Sequence, residues 1–168
     1  QCVQCHNHPT NESWTQNQFW ELNAFFRQLQ VRPGPDGLAR LVDQDFAGED
    51  GDRREAAVYY ERLDGLKKVA YPVFLDGRPI PKSGVLADVD RRRKLAAFVT
   101  DSPALSRALV NRMWSRFYRY GFTQQVDDMG PHNPSSHPVL LDRLTNEFGK
   151  SNYDLKQLIR WIYNSEAY

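Results

Sequence analysis

Hydrophobic positions follow three patterns along the chain. Between Gln16 and Gln30, Phe19, Leu22, Phe26 and Leu29 recur at helical spacing, with Trp20 and Phe25 widening the face. Thr15 stands where an N-cap belongs, so a helix over about 16–30 is expected. Its aromatic face suits a core, and Trp20 or Phe26 is also placed to line a cofactor edge. The breaker cluster Arg32-Pro33-Gly34-Pro35-Asp36-Gly37 ends it. The stretch to about Arg54 has poor periodicity and carries Asp43, Asp45, Glu49, Asp50 and Asp52. It reads as a long solvated loop, because its acidic spacing does not match a calcium helix–loop–helix. From 56 to 80 the pattern turns β-like, as in Ala57-Val58-Tyr59-Tyr60, with Asp64-Gly65 and Asp76-Gly77 as hairpin signals. A meander of two or three strands is expected there.

From Asp88 the chain reads as helical. A helix over about 88–99 buries Leu95, Ala96, Phe98 and Val99 and leaves Arg91-Arg92-Arg93-Lys94 to solvent. Ser102-Pro103 starts a second, running to about Tyr118 and ended by Gly121. Leu105, Leu109, Met113 and Trp114 lie on its inner face. Ser135 or Ser136 opens a third with Leu140, Leu141, Leu144 and Phe148, closed by Gly149. Asp154 caps the last, with Leu155, Leu158, Ile159 and Ile162 facing inward. The fold class is mainly α with a small antiparallel β-meander (α+β), and the C-terminal half is helical. Three divisions are expected: 1–35 (a Cys/His loop plus the aromatic helix), 36–87 (acidic linker and hairpin region) and 88–168 (the helices). No internal repeat is visible.

Composition fits this reading. The chain has 168 residues, of which 40% are hydrophobic and 12% aromatic, enough for a globular core. Its net charge of +1 argues against nucleic acid or an anionic membrane as an obligate partner. No transmembrane segment is expected, since no apolar run nears the roughly 18 residues that span a bilayer. Asn11-Glu12-Ser13 is a glycosylation sequon, meaningful only in a eukaryotic secretory setting.

The candidate chemistry lies at the start. Cys2-Val3-Gln4-Cys5-His6 has the C-x-x-C-H spacing of covalent haem c attachment. Two thiols three residues apart each bond one porphyrin side chain, and the next imidazole can ligate the iron as proximal ligand. The chain has only these two cysteines. Three other readings stay open: a disulfide, free thiols, and a zinc site drawing on Cys2, Cys5, His6 and His8. A zinc tetrahedron from ligands within seven residues leaves little chain to wrap the metal. A thioredoxin-like site is disfavoured by Pro9, which opposes helical geometry at His8. Only Gln1 precedes the motif, and the chain lacks an initiating Met or apolar leader, so a processed or partial chain is expected.

A second candidate is the stretch from Val126 to Pro138, which holds Asp127, Asp128, Met129, His132 and His137. Gly130, Pro131 and Pro134 suit a preorganised loop. It is either a rigid connection or the source of a distal haem ligand, with His137, His132 and Met129 as candidates. His8 is too near His6 to reach the opposite face of one iron, and is assigned to a neighbouring haem.

These motifs carry a resemblance. Cys2-Val3-Gln4-Cys5-His6-Asn7-His8-Pro9, Trp14-Thr15-Gln16 and Phe25-Phe26 resemble the end of one domain of large secreted planctomycete proteins of unassigned function. Val110-Asn111-Arg112-Met113-Trp114, Gly121-Phe122, Asp127 through Pro134, Ser136-His137-Pro138, Leu140-Leu141-Asp142, Asp154-Leu155-Lys156 and Ser165-Glu166-Ala167-Tyr168 resemble the domain that follows it. Such proteins often share a chain with cytochrome-c-like modules, so the resemblance implies export to the periplasm or cell surface and a redox setting.

The leading expectation is therefore an exported electron-transfer protein with haem c on Cys2, Cys5 and His6. Its partners would be redox proteins and neighbouring copies of itself. The alternative is a non-catalytic helical scaffold or binding module stapled by a disulfide or a metal, with zinc or no cofactor. A hydrolase using Asp127, Asp128 and His132 or His137 lacks a nucleophile motif.

Overall fold

The computed structural model describes residues 2–8, 11, 14–46 and 55–167. It has two compact units, residues 1–98 and 99–168. The elements are a 3-10 turn (Cys2–Gln4), α1 (Gln16–Asn23), a 3-10 turn (Ala24–Phe26), β1 (Leu29–Pro33), β2 (Ala39–Asp43), β3 (Val58–Glu61), β4 (Lys67–Ala70), α2 (Arg91–Asp101), α3 (Pro103–Tyr118), α4 (Pro138–Lys150) and α5 (Leu155–Tyr163). The expected α+β class with a helical C-terminal half is what the chain forms.

In the first unit, Thr15 is the N-cap of α1, and Gln18 Oε1 accepts its backbone N–H at 2.9 Å. The helix then stops at Asn23 instead of running to 30. The chain continues as the 3-10 turn, where the Ala24 carbonyl accepts the Arg27 N–H at 3.5 Å and also Arg91 Nη1–H at 2.7 Å. In that turn Phe25 points inward at 0% exposure, while Phe26 faces out at 41%.

The expected loop after residue 32 is instead a second hairpin, β1 antiparallel to β2 with Val31 opposite Leu41. Both of its faces are largely exposed, so the alternation that marks a half-buried strand is missing. The expected hairpin pairs β3 with β4, Tyr59 opposite Val69, and Val73 bridges Pro79 beyond it. All three reversals use one five-residue turn, although no repeat was visible in the sequence. In Gly34–Leu38, Arg62–Leu66 and Phe74–Arg78, the first residue's N–H donates to the fifth carbonyl. The fourth residue is a glycine at φ 76, 78 and 88°, a left-handed conformation that other residues adopt at a cost. The preceding aspartate accepts the fifth residue's N–H and pairs with an arginine: Asp36 with Arg40, Asp64 with Arg62, Asp76 with Arg78.

Asp43 and Asp45 are not solvated linker. Asp43 pairs with Arg92 at 2.9 Å, and Asp45 Oδ1 accepts the Leu86 N–H at 2.8 Å. Glu49, Asp50 and Asp52 lie outside the described residues.

Two small apolar clusters fill this unit. Ala24, Val58, Tyr60 and Ala70 form one, against Trp20, whose ring stacks on Tyr60. Phe25, Phe74, Ile80 and Val89 form the other, with Leu22, Leu95 and Phe98. Beside them lies Arg91, 0% exposed rather than solvated as its basic run suggested. Its guanidinium donates to the carbonyls of Ala24 (2.7 Å), Ala56 (2.8 Å), Lys82 (2.5 Å) and Ser83 (3.2 Å). Gln28, 1% exposed, accepts the Arg91 N–H and donates to the carbonyls of Gly84 and Val89. Burial, with Arg27 nearby as the lesser cause, pushes the Arg91 guanidinium down to about 10, which leaves it charged at neutral pH. Ala96 and Val99, expected to be buried, are exposed.

The second unit is built on helix packing. Ser102 caps α3, with Pro103 in its first turn. The helix ends on Arg119 at φ 69°, not on Gly121. Gly121 serves a close approach instead, since a Cβ there would lie 2.7 Å from Asn111 Oδ1. His137, not Ser135 or Ser136, is the N-cap of α4. Pro138 disfavours helical geometry at His137 and suits the first helical turn. Gly149 lies inside α4, whose C-cap is Ser151. Asp154 caps α5 by accepting the Gln157 N–H at 3.0 Å. One core joins Val110, Phe122, Leu141, Phe148, Leu158 and Ile162. Leu155 and Ile159 of α5 face outward at 48% and 36% exposure, contrary to the wide inward stripe expected.

Candidate functional site

The C-x-x-C-H segment belongs to the first unit and is held from below. Its backbone makes a 3-10 turn over Cys2–Gln4, a geometry in which positions i and i+3 eclipse. The side chain of Cys2 lies outside what is described. Cys5 carries a free, exposed thiol. Two amides fix the loop to α1. Asn7 Oδ1 accepts the Gln16 N–H at 3.1 Å, satisfying one of the helix's open N-terminal donors. Gln16, 9% exposed, donates its side-chain amide to the Gln4 carbonyl (3.1 Å) and the Glu61 carbonyl (3.0 Å), tying the loop to β3 as well. Sequence reasoning missed both, because an Asn after His and a Gln in a first helical turn carry no recognisable signal.

The two nearby histidines hold opposite tautomers. His6 is exposed, and its Nδ1 lies 2.6 Å from the Asn7 carbonyl, which can only accept. Nδ1 therefore carries the proton, and the Nε2 lone pair is left for a metal. His8 is half-buried, with its ring edge-on to Trp14 at 6.0 Å. Its Nδ1 accepts the Asn11 N–H at 3.1 Å, so Nε2 holds the proton. Its backbone N–H also donates to the Trp14 carbonyl at 2.8 Å. His6 is thus poised as a ligand, and His8 closes the loop.

Met129, His132 and His137 belong to the second unit, so no unit contains both these residues and the C-x-x-C-H loop. Their loop is knotted around two asparagines. Asn111, 0% exposed, accepts the Phe122 N–H at 2.6 Å and donates to Thr123 Oγ1 and the Val126 carbonyl. Asn133 accepts from the Gln124 N–H and donates to the Gln125 and Asp128 carbonyls. Met129 packs against the apolar core. His132 Nε2 lies 2.7 Å from Asp128 Oδ2, and its ring covers Gly130 so closely that a Cβ there would meet it at 2.6 Å. His137 Nδ1 is 3.0 Å from Ser136 Oγ, and Asp127 pairs with Arg112. Asp127 and Asp128 are therefore turned to different partners.

Among the described residues, no group of three or more His, Cys, Asp or Glu side chains could hold a metal ion. Among them also, no helix is long and apolar enough to cross a membrane. A family model described as PSD1, a protein of unknown function (DUF1553), matches residues 91–168. No curated protein and no solved structure matches the chain. The matched segment begins at Arg91, so it includes α2, whose first residue is locked into the first unit.

Proposed function

We propose that this chain is an exported c-type haem protein that carries electrons, with Cys2 and Cys5 as the covalent anchors and His6 as the proximal ligand. The observation that carries this reading is the His6 tautomer, with Nδ1–H donated to the Asn7 carbonyl and Nε2 left as a donor to iron. The free thiol of Cys5 is in the form that adds to a porphyrin vinyl group, S–H giving one C–S and one C–H bond. Gln16 and Asn7 hold the loop in place, so ligation would need little reordering. When bound, the haem supplies one-electron redox chemistry. Attachment of haem c outside the cytoplasm implies export, and electron transfer implies redox proteins or neighbouring copies as partners.

The test is a pyridine haemochrome spectrum of the chain produced in a host competent for cytochrome c maturation. A c-type band that survives acid–acetone extraction and disappears in Cys2→Ala and Cys5→Ala is expected. In the haem-loaded protein, single replacement of His137, His132 and Met129 then reads the second ligand as a Soret shift. A colourless product from a host that matures a control cytochrome overturns the proposal. That result leaves the binding-module reading, which the self-satisfied loop around Asn111 and Asn133 favours.

A further inference from the structure

Of the two hairpins in the first unit, β3–β4 is backed, turning Val58, Tyr60 and Ala70 onto Trp20. Among the described residues, none of the apolar clusters takes a side chain from β1 or β2.

The two wet faces of β1–β2 differ in chemistry. Residues opposite one another in an antiparallel pair share a face. Leu29 stands opposite Asp43, Val31 opposite Leu41 and Pro33 opposite Ala39, which gathers five apolar side chains on one face. Gln30 opposite Val42 and Arg32 opposite Arg40 make the other face polar. Val31 and Leu41, at the centre of the apolar face, are 67% and 58% exposed, and Pro33 and Ala39 are exposed beside them. A lone two-stranded hairpin is marginal in water and gains stability by packing its apolar face on something. A contiguous exposed apolar face of this kind marks an interaction surface.

Charge selects the occupant. The one charged side chain on the apolar face is Asp43, and Arg92 meets it at 2.9 Å. The hairpin's other charges are also engaged, Arg40 with Asp36 and Arg32 with Gln44. No unpaired charge of the hairpin calls for an acidic or a basic partner. A neutral apolar face is complemented by another, and a second copy of this chain brings one. A two-fold axis through the Val31–Leu41 pair lays the apolar centre on itself and sets the Pro33–Ala39 end over Leu29, with no bare like charges opposed. The exposed stripe Leu155, Ile159 and Tyr163 of α5 lacks this property. Lys156 and Arg160 border it on one side, and antiparallel two-fold pairing would set those cations against their own copies.

We infer that this chain self-associates through the apolar face of β1–β2, two copies packing face to face. Each face offers on the order of 400 Å², about 800 Å² for the pair, below the roughly 1,200 Å² at which stable interfaces begin. The dimer is therefore weak and reversible. It does not rest on the haem reading, and the same association is expected with and without haem.

The test is sedimentation equilibrium of the 168-residue chain in reductant, which keeps the exposed Cys5 thiol from linking copies. The weight-average mass should rise from that of one chain towards that of two as concentration passes through roughly 0.1–1 mM. Amide NMR shifts on dilution should be confined to residues 29–43. The double variant Val31→Thr with Leu41→Thr keeps strand-forming residues and should weaken association at least roughly tenfold with an unchanged far-UV spectrum. Gln30→Thr, on the polar face, and Leu155→Ser with Tyr163→Ser, on α5, should leave it intact. A single-chain mass at every concentration overturns the proposal, and cosedimentation of that monomer with phosphatidylcholine–phosphatidylglycerol vesicles assigns the face to a lipid surface instead. Growth beyond two copies overturns it in favour of open strand-edge pairing. Dilution shifts outside 29–43, or association lost in the α5 variant and kept in the hairpin variant, place the interface elsewhere and overturn it as well.

Discussion

The two units solve the same problem by different means. In the second, α3, α4 and α5 deliver Val110, Leu141, Phe148, Leu158 and Ile162 to one continuous core. Its buried polar groups are local, such as Asn111 holding the turn after α3. The first unit has two separate clusters, of four buried residues each, and short strands exposed on several sides. Its segments are joined by long polar side chains that reach backbone carbonyls far away in sequence. Arg91 gathers carbonyls from residues 24, 56, 82 and 83, and Gln28 gathers 84 and 89. Where helices are long, apolar periodicity suffices. Where the chain is mostly turns, the loop carbonyls need donors, and a buried cation provides several at once.

The largest effect should come from Arg91. Arg91→Leu removes the guanidinium donor from four carbonyls, of which only Ala24 keeps a long bond from the Arg27 N–H, so at about 1 kcal/mol or more each a loss of about 3–4 kcal/mol is expected. Arg91→Lys should recover little, because one ammonium cannot span the fork's directions. Arg93→Ala, exposed on the same helix, should stay within about 0.5 kcal/mol of the parent. Urea unfolding followed by tryptophan fluorescence, to which Trp20 of the first unit contributes, measures all three. If Arg91→Leu behaves like Arg93→Ala, the apolar clusters hold the first unit and the contrast between the units collapses.

What the sequence shows and hides follows the same division. Ser102-Pro103, Asp154 and the core positions of α4 are readable because caps and 3.6-residue spacing are local signals. Arg91 is misread because burial of a charge depends on carbonyls supplied by segments up to 67 residues away. The β1–β2 hairpin is hidden because both its faces are wet, although Asp36-Gly37 is the same signal as Asp64-Gly65 and Asp76-Gly77. At the candidate site, Cys5 and His6 are legible as a motif. The Asn7 and Gln16 bonds that orient them are not, because they rest on the chain returning through α1 and β3.

A smaller effect tests the apolar half of the contrast. Leu158→Ala, at 0% exposure, should cost about 3 kcal/mol by transfer and cavity terms. Leu155→Ala, one turn earlier and half exposed, should cost well under about 1 kcal/mol. Thermal unfolding of the two variants separates them. Equal losses would mean that α5 buries the wide stripe its sequence suggests, and that the outward Leu155 is covered in solution.

The smallest effect concerns the recurring turn of the first unit, and its sign can be worked out. The Asp36 carboxyl is held below the usual range first by the Leu38 N–H and then by Arg40. For Asp76 the order differs, with the Arg78 side chain as the largest cause. A carboxyl with a depressed folded pKa stabilises fully above its unfolded value, 3.8 here, and the contribution is lost as pH falls through the folded value. Both groups are exposed, so the stability change is slight and is best read residue by residue, by carboxyl NMR titration. Arg78→Ala should return Asp76 most of the way to its ordinary value, while Arg40→Ala should return Asp36 only in part. An equal return would mean that the arginine, not the backbone N–H, governs both turns. The remaining depression of Asp36 would then have to vanish with Arg40, which the geometry of a carboxylate closing its own turn argues against. The five-residue turn is, on this argument, a unit that holds its own aspartate, and the first unit repeats it where its hairpins have at most a small apolar cluster behind them.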